Sequence, residues 1–441
     1  MYIKSIKITN VRAITSLEMD FPKAAGWHVL IGDNGSGKST VVRAIAMALI
    51  GKDLGAVPLQ PSYWLKKNTF LGTTVINIFQ DSKFDGLNDS NSILDINNLE
   101  KPTKAPAIDF KNLQSRITFL KGNLNVLDPN DSAIQKMELL DSHLIMLNVG
   151  DGQNTYIDWG VNGWFSAGFG PFRRFTGGNI ENEKLFKSHP RIGAHLSLFR
   201  EDIALSEALD WLKDLDYQRL MEKESNDEEA RSTFIYRNVI KFINESEVLP
   251  YNTKIKGIDK NGVNFVDGNG MTISDFDLSD GFRSILSIAF ELIRQLVNVY
   301  GASATFETYE SGDVRIHLPG VVLIDEIDAH LHPSWQTEIG QWFTKYFPKL
   351  QFIVTTHSPL VCRACEHGTI WRLASPGSGE ASGEITGTDR ERLIYGNILD
   401  AYGTEVFGQN TVRSNQSNTK LDRLGRLNML SALGKITPKE E

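Results

Sequence analysis

The sequence predicts an α/β fold in which a mixed or parallel sheet presents a phosphate-binding loop, and three observations carry that expectation. Gly32, Asp33, Asn34, Gly35, Ser36, Gly37, Lys38 and Ser39 form a complete G-x-x-x-x-G-K-S string. It lies between an apolar run and an apolar-faced segment, the strand and helix that such a loop requires. The runs Gly320 to Ile324 and Phe352 to Val354 are continuously apolar, as strands covered on both faces are, and each ends abruptly in polar residues.

Trp27 to Ile31 reads as the strand before the loop. Val42, Ile45, Ala46 and Leu49 recur at helical spacing after it, and Gly51 ends the helix. The glycines let backbone N–H groups turn inward around a polyphosphate at a helix N-terminus, where the dipole favours negative charge. A nucleotide site follows, with Gly32, Asn34, Gly35, Ser36, Gly37, Lys38, Ser39 and Thr40 as the contacting set. Lys38 is expected to reach the terminal phosphates, and the Ser39 hydroxyl to ligate Mg2+.

Downstream segments fit hydrolysis of ATP. Asp325 leaves its apolar strand where it would bind Mg2+; Glu326, turned to the other side, would take a proton from the attacking water. His357 ends a neighbouring strand, where a neutral imidazole would hydrogen-bond the γ-phosphate. Leu278 to Ser284 opens a helix carrying Ile285, Ile288, Ala289, Leu292 and Leu296, so Ser279, Gly281 and the helix dipole converge on a point suited to an anion. Each has a plainer reading: a solvated turn for the carboxylates, a helix cap for Ser279 or His357. Their shared order behind one phosphate loop favours the functional reading.

In that order the chain resembles the ABC-type ATPase heads of the SMC, Rad50, RecF and OLD group. The motifs are Walker A at Gly32 to Ser39, the signature at Leu278 to Ser284, Walker B at Val321 to Glu326, the D-loop at Asp328 to His332 and the switch histidine at His357. The resemblance covers residues 1–50 and 270–375. It implies a P-loop NTPase head of ABC type, a first strand from Ile6 whose Arg12 reaches the nucleotide phosphates, and Asp328 at the nucleotide. It also implies that two heads sandwich two ATP molecules, each signature completing the opposite site. Within the group the chain is most similar to the compact antiphage-defence ATPases typified by Septu PtuA, on the D-loop string Asp328 to Pro333, the segment Gly168 to Arg174 and the tail from Asn397 to Leu433. That likeness implies a separate nuclease or other effector as partner. One departure is Asp280, which stands where the group's heads carry glycine; its carboxylate should repel a γ-phosphate unless Arg283 offsets it or Asp280 points away. The other is the turn from Gly170 to Arg174, placed as the group's Q-loop but lacking glutamine.

The formal charge of −8 and pI near 5.7 argue against a surface that binds nucleic acid broadly, while a local basic groove for DNA stays open. No stretch approaches the roughly 20 apolar residues of a bilayer span, and Met1 to Asn10 lacks a signal-peptide core, so a cytoplasmic protein without membrane contact is expected. Cys362 and Cys365 form a C-x-x-C pair short of a zinc ligand set and read as reduced structural thiols. His330 and His332 read as D-loop interface residues rather than metal ligands.

The 239 residues from 40 to 278 show no heptads of the kind SMC and Rad50 heads carry there. They predict strands at Thr74 to Phe79, Ile117 to Leu120 and Trp164 to Gly168, and a polar loop from Asp81 to Asn98. A helical arm follows from Leu198 to Ile243, broken at Glu224 to Glu229, then a hairpin turning at Asn261-Gly262. After His357 only 84 residues remain, with no D-x-D pair for a metal-dependent nuclease, so cutting falls to a partner. Leu421, Leu424, Leu427, Leu430 and Leu433 recur every third residue, as an apolar surface docking on its own head, a partner or a second protomer.

The expected organisation is an α/β head in two parts, 1–180 and 251–374, around an inserted helical lobe at 181–250, with a helical tail at 375–441 for partner docking. The expected function is a slow ATPase, paired as a homodimer or a multiple of dimers, that controls a nuclease in antiphage defence. A RecF-like clamp on DNA and a scaffold that scarcely hydrolyses ATP are the alternatives.

Overall fold

A computed structural model describes residues 1–51, 54, 63–69, 71–79, 81, 83–85, 88–89, 113–121, 143–150, 155–156, 163–172, 189–200, 206–224, 230–249, 251–259, 262–274, 277–404 and 415–433. Strands β1 (Tyr2–Val11) and β2 (Ile14–Asp20) form a hairpin, and β3 (Gly26–Ile31) runs into the phosphate loop and helix α1 (Lys38–Ile50). Next come β4 (Leu71–Phe79), β5 (Leu113–Lys121) and β6 (His143–Gly150), which join the hairpin in an antiparallel sheet of order β2-β1-β4-β5-β6. β4 buries Thr74, Ile76 and Ile78 at the spacing of two that one covered face demands.

The second sheet is built from β3, β7 (Ser166–Phe169), β11 (Gly320–Ile324), β12 (Leu350–Thr356), β13 (Ile370–Arg372) and β14 (Gly383–Glu384), in the order β14-β13-β3-β12-β11-β7. All its pairs are parallel except β13 with β14. Between β7 and β11 lie α2 (Ser206–Glu224), α3 (Arg231–Glu245), a small sheet of β8 (Lys254–Asp259), β9 (Gly262–Val266) and β10 (Thr272–Ser274), and α4 (Asp280–Tyr300). α5 (Pro333–Tyr346) links β11 to β12, and α6 (Gly387–Tyr395), α7 (Ile398–Tyr402) and α8 (Asn415–Ala432) form the tail.

α1 lies between the two sheets. Its apolar residues meet Leu30, Val321, Leu323 and Ile353 on one side and Ile6, Ile8, Ile76 and Ile117 on the other. The opposite face of the parallel sheet, through Trp27, Val29, Val322, Ile324, Phe352 and Val354, shares a core with α2 to α5. Two covered faces explain why β11 and β12 read as unbroken apolar runs. Each such side chain contributes about 1.5–3 kcal/mol on burial, which holds the loop's strand and helix firmly in place.

The predicted strands match β4, β5 and β7 within a few residues, and the helical run resolves into α2 and α3 after a short turn at Leu196–Leu198. Two glycines by β7 are fixed by that turn: a β-carbon on Gly170 would stand 2.0 Å from the Ser197 carbonyl oxygen, and one on Gly168 2.4 Å from Leu198 Cδ1. Arg173, Arg174, Asn261, residues 225–229 and most of the polar loop at 81–98 lie outside the described residues.

Of the placements the sequence leaves open for the leucine helix α8, docking on its own head is not made in the structure: Leu421, Leu424 and Leu433 are 40%, 53% and 58% exposed. A repeat of three falls about 60° short of a turn at each step, so the five leucines wind around the helix and offer no single face. Among the described residues no helix is long and apolar enough to cross a membrane.

Candidate ATP-binding site

The loop from Gly32 to Gly37 leaves β3 and turns into α1 through three glycines with positive φ: Gly32 (+155°), Gly35 (+82°) and Gly37 (+97°). Gly37, the N-cap of α1, carries a left-handed backbone that other residues adopt only with strain. A β-carbon at Gly35 would meet nothing within 4 Å, so the loop borders open space at that glycine. Behind it, the β1–β2 turn closes the floor, with Ile14 Cγ1 3.3 Å from where a Gly37 β-carbon would be.

Lys38 is buried, and its Nζ donates to the Gly32 and Asp33 carbonyl oxygens at 2.8 and 3.0 Å. Burial lowers the pKa of this ammonium, while Glu326, Asp325, Asp328 and Asp33 oppose the shift. The Ser39 hydroxyl donates to Asp325 Oδ1 at 3.1 Å, and the same oxygen accepts from Thr355 Oγ1 at 2.5 Å. The structure thus brings Lys38, Ser39, Asp325, Glu326 and Asp328 into one cluster, although 286 positions separate Ser39 from Asp325. Asp325 holds this place because β11 pairs with β12 on one side and β7 on the other, and its own N–H donates to the Phe169 carbonyl at 2.8 Å.

The Asp328 carboxylate accepts from Thr356 Oγ1 at 2.6 Å and from the His357 backbone N–H at 3.3 Å, which ties the D-loop to the switch histidine. The His357 side chain is exposed at the end of β12. Arg12, also exposed, lies in the β1–β2 turn beside the loop, and its guanidinium stacks on Trp64 at 5.2 Å. Burial and then Arg43 lower its pKa.

Ser279 makes no hydrogen bond or charge contact with the Lys38 cluster among the described residues, whereas Gly281 is buried against the His330 carbonyl in the turn that follows Asp328. Ser279 is the N-cap residue of α4, as a plain helix start would have it, but it makes no side-chain capping bond, and the side chain is exposed. Asp280 is paired with Arg283 at 2.6 Å, the partner the sequence offers for its charge. Cys362 and Cys365 are free, fully buried thiols whose pKa is raised by burial.

Sequence reasoning missed Thr355 and Thr356, whose hydroxyls hold Asp325 and Asp328, and Ser375, which donates to Asp33 Oδ2 at 2.6 Å. The available signal was a Thr-Thr pair placed just before His357 at the end of a buried strand.

The residues fit Mg2+ and a polyphosphate. Ser39 Oγ and the Asp325 carboxylate offer paired hard oxygens. Among the described residues no group of three His, Cys, Asp or Glu side chains forms a metal cage, so phosphate and water oxygens would complete the shell.

Two family models match the chain: "AAA ATPase domain" over residues 1–142, and "AAA domain, putative AbiEii toxin, Type IV TA system" over residues 171–363. Fold, loop and these matches define the class, an ATPase of the P-loop kind. More particularly, the chain is 26% identical over 376 residues, 84% of its length, to Septu protein PtuA of Bacillus mycoides (strain KBAB4), of which it covers 40%. It is 41% identical over 108 residues, 24% of its length, to the Retron Ec83 probable ATPase of Escherichia coli, of which it covers 18%. The chain thus spans less than half the length of these curated relatives. A solved SMC head bound to the C-winged helix domain of ScpA aligns over 89% of this chain and all of that one, with a TM-score of 0.47 and 13% identity.

Proposed function

We propose that this chain is one head of an ATP-sandwich dimer, which binds ATP with Mg2+ in the cytoplasm, hydrolyses it slowly and thereby controls a separate nuclease in antiphage defence. The observation that carries the reading is the convergence of Lys38, Ser39 and Asp325 beneath an open glycine loop. In this reading Lys38 leaves the Gly32 and Asp33 carbonyls for the terminal phosphates, with Gly32 and Asn34 to Gly37 giving backbone N–H groups and Thr40 opening the helix behind them. Ser39 and Asp325 would hold Mg2+, which when bound would neutralise charge on the phosphate oxygens. Glu326 accepts the proton of the attacking water, His357 hydrogen-bonds the γ-phosphate, and Arg12 borders the phosphates from the β1–β2 turn.

Ser279 and Gly281 serve the opposite head. The exposed Ser279 at the start of α4 supports completion in trans, while the buried Gly281 packs on the segment that Asp328 joins to His357. The two parts of the head and the helical lobe then form the ATPase body, and the exposed leucines of α8 suit the tail to carrying the effector.

The test compares Glu326→Gln with Lys38→Ala. Glu326→Gln is expected to bind ATP as the parent does, to lose phosphate release by at least about a hundredfold, and to accumulate dimers under light scattering. Lys38→Ala should lose nucleotide binding. Parental turnover in Glu326→Gln would falsify the assignment of the base. Dimers indifferent to ATP would remove the sandwich, and salt-sensitive binding of duplex DNA by the isolated chain would favour a repair clamp instead.

A further inference from the structure

We infer that Thr355, a residue outside the motifs, is a positioning residue that sets both the metal-holding carboxylate and the backbone of the base; this rests on the ATPase reading above. Thr355 is fully buried at the end of β12. Its hydroxyl donates to Asp325 Oδ1 at 2.5 Å and accepts from the Glu326 N–H at 2.7 Å, while its carbonyl oxygen accepts from the Ile327 N–H at 3.0 Å. One residue therefore engages three consecutive positions of the neighbouring chain segment.

A hydroxyl suits this place because it is donor and acceptor at once. Donation to Oδ1 keeps the Asp325 carboxylate in one rotamer, with the same oxygen facing Ser39. Acceptance from the Glu326 N–H fixes a residue whose φ is +50°, a left-handed conformation that glutamate does not adopt by preference. Such strained backbone persists where neighbours over-determine it. Here the Thr355 hydroxyl and carbonyl bracket the strained residue on both sides. The direction of the Glu326 side chain, and so the position of the base, follows from that bracket.

Valine has threonine's shape without the hydroxyl, and serine keeps the hydroxyl without the methyl. The experiment measures binding of a fluorescent ATP analogue with EDTA and across a Mg2+ titration, turnover, and amide exchange of residues 325–327 without nucleotide. Thr355→Val should bind the analogue in EDTA as the parent does. Its Mg2+ requirement should rise and its turnover fall by about tenfold or more, the scale of one hydrogen bond to a charged group. Amide exchange at residues 325–327 should speed up, and Thr355→Ser should restore all three readouts. The same titration in a Glu326→Gln background reads Thr355 with turnover removed, so a wrong base assignment leaves this test intact. A parental Mg2+ profile and parental exchange in Thr355→Val would overturn the inference. So would a serine variant as impaired as the valine one, because the methyl would then be the part that matters. If the parent binds no ATP, the ATPase reading falls by itself, and the exchange measurement still decides whether Thr355 holds the segment.

Discussion

Gly281 and His330 approach so closely that a β-carbon on the glycine would stand 2.7 Å from the histidine carbonyl oxygen. The start of α4 and the D-loop of the same head are thus packed backbone to backbone. His330 itself has φ of +65°, so the D-loop turn is already bent into a left-handed residue at the contact. With Asp328 bonded to the His357 N–H, a displacement at Gly281 reaches His357 through two intervening contacts.

Gly281→Ala should therefore uncouple pairing from binding. The added methyl cannot be accommodated without moving the D-loop, while Lys38 keeps its hydrogen bonds to the Gly32 and Asp33 carbonyls on the other side of the site. The expected outcome is ATP affinity within about threefold of the parent, less than 1 kcal/mol, together with loss of ATP-dependent dimers in sedimentation. Equal loss of affinity and pairing would mean that the contact supports the whole head.

Asp280→Gly probes the departure at the signature. Asp280 is 74% exposed and its partner Arg283 32%, so the ion pair contributes under about 1 kcal/mol and thermal stability should scarcely change. In the proposed sandwich this surface faces the other head's phosphates, so removing the carboxylate should strengthen ATP-driven pairing and raise turnover severalfold. A variant with parental turnover would show that the Arg283 pairing had already cancelled the charge.

How much of this was legible in the sequence depends on where each contact lies along the chain. The phosphate loop, the Asp325-Glu326 strand end and the Ser279 helix start are local patterns, each set by a run of fewer than about ten residues, and the structure forms the expected element at each. The order β2-β1-β4-β5-β6 was not legible, because β1 pairs with both β2 and β4 and side-chain alternation names no partner. Nor was Thr355, an ordinary β-branched strand residue until the fold places Asp325 against it. The leucine helix was legible as an element, and its repeat of three shows a stripe winding around it, but a winding stripe names no surface that it meets.

The buried cysteines should behave as hydrophobes. Both thiols have their pKa raised by burial, first and foremost, so little thiolate exists at neutral pH. A thiol reagent such as dithionitrobenzoate should label neither Cys362 nor Cys365 in the native protein and both after denaturation, at a rate that follows unfolding. Rapid native labelling of either would mean that the segment after His357 opens on its own.

Two further buried groups predict how stability responds to acid. Burial lowers His28 to about 4, against weaker opposing hydrogen bonds from the backbone at Ala24 and Lys23, and burial followed by Arg191 lowers His195 to about 3. Unfolded, each would titrate near 6.5. Below that pH the unfolded chain binds protons that the folded chain refuses, so the contribution is fully present above about pH 6.5 and is lost as pH falls toward about 4 for His28 and about 3 for His195. Within the window each histidine should add a slope of about 1.4 kcal/mol per pH unit to the unfolding free energy. Urea unfolding from pH 7.5 down to 4.5 would read it. A His28→Asn variant, whose side chain does not titrate, should lower stability at pH 7.5, since it gives up the ring contacts with Thr369, Ala24 and Phe21. Its pH slope should nevertheless be shallower than the parent's by the share of one histidine. A variant slope parallel to the parent's would mean that His28 is protonated in the folded state or titrates unchanged on unfolding, and the neutral buried ring inferred from its surroundings would have to be given up.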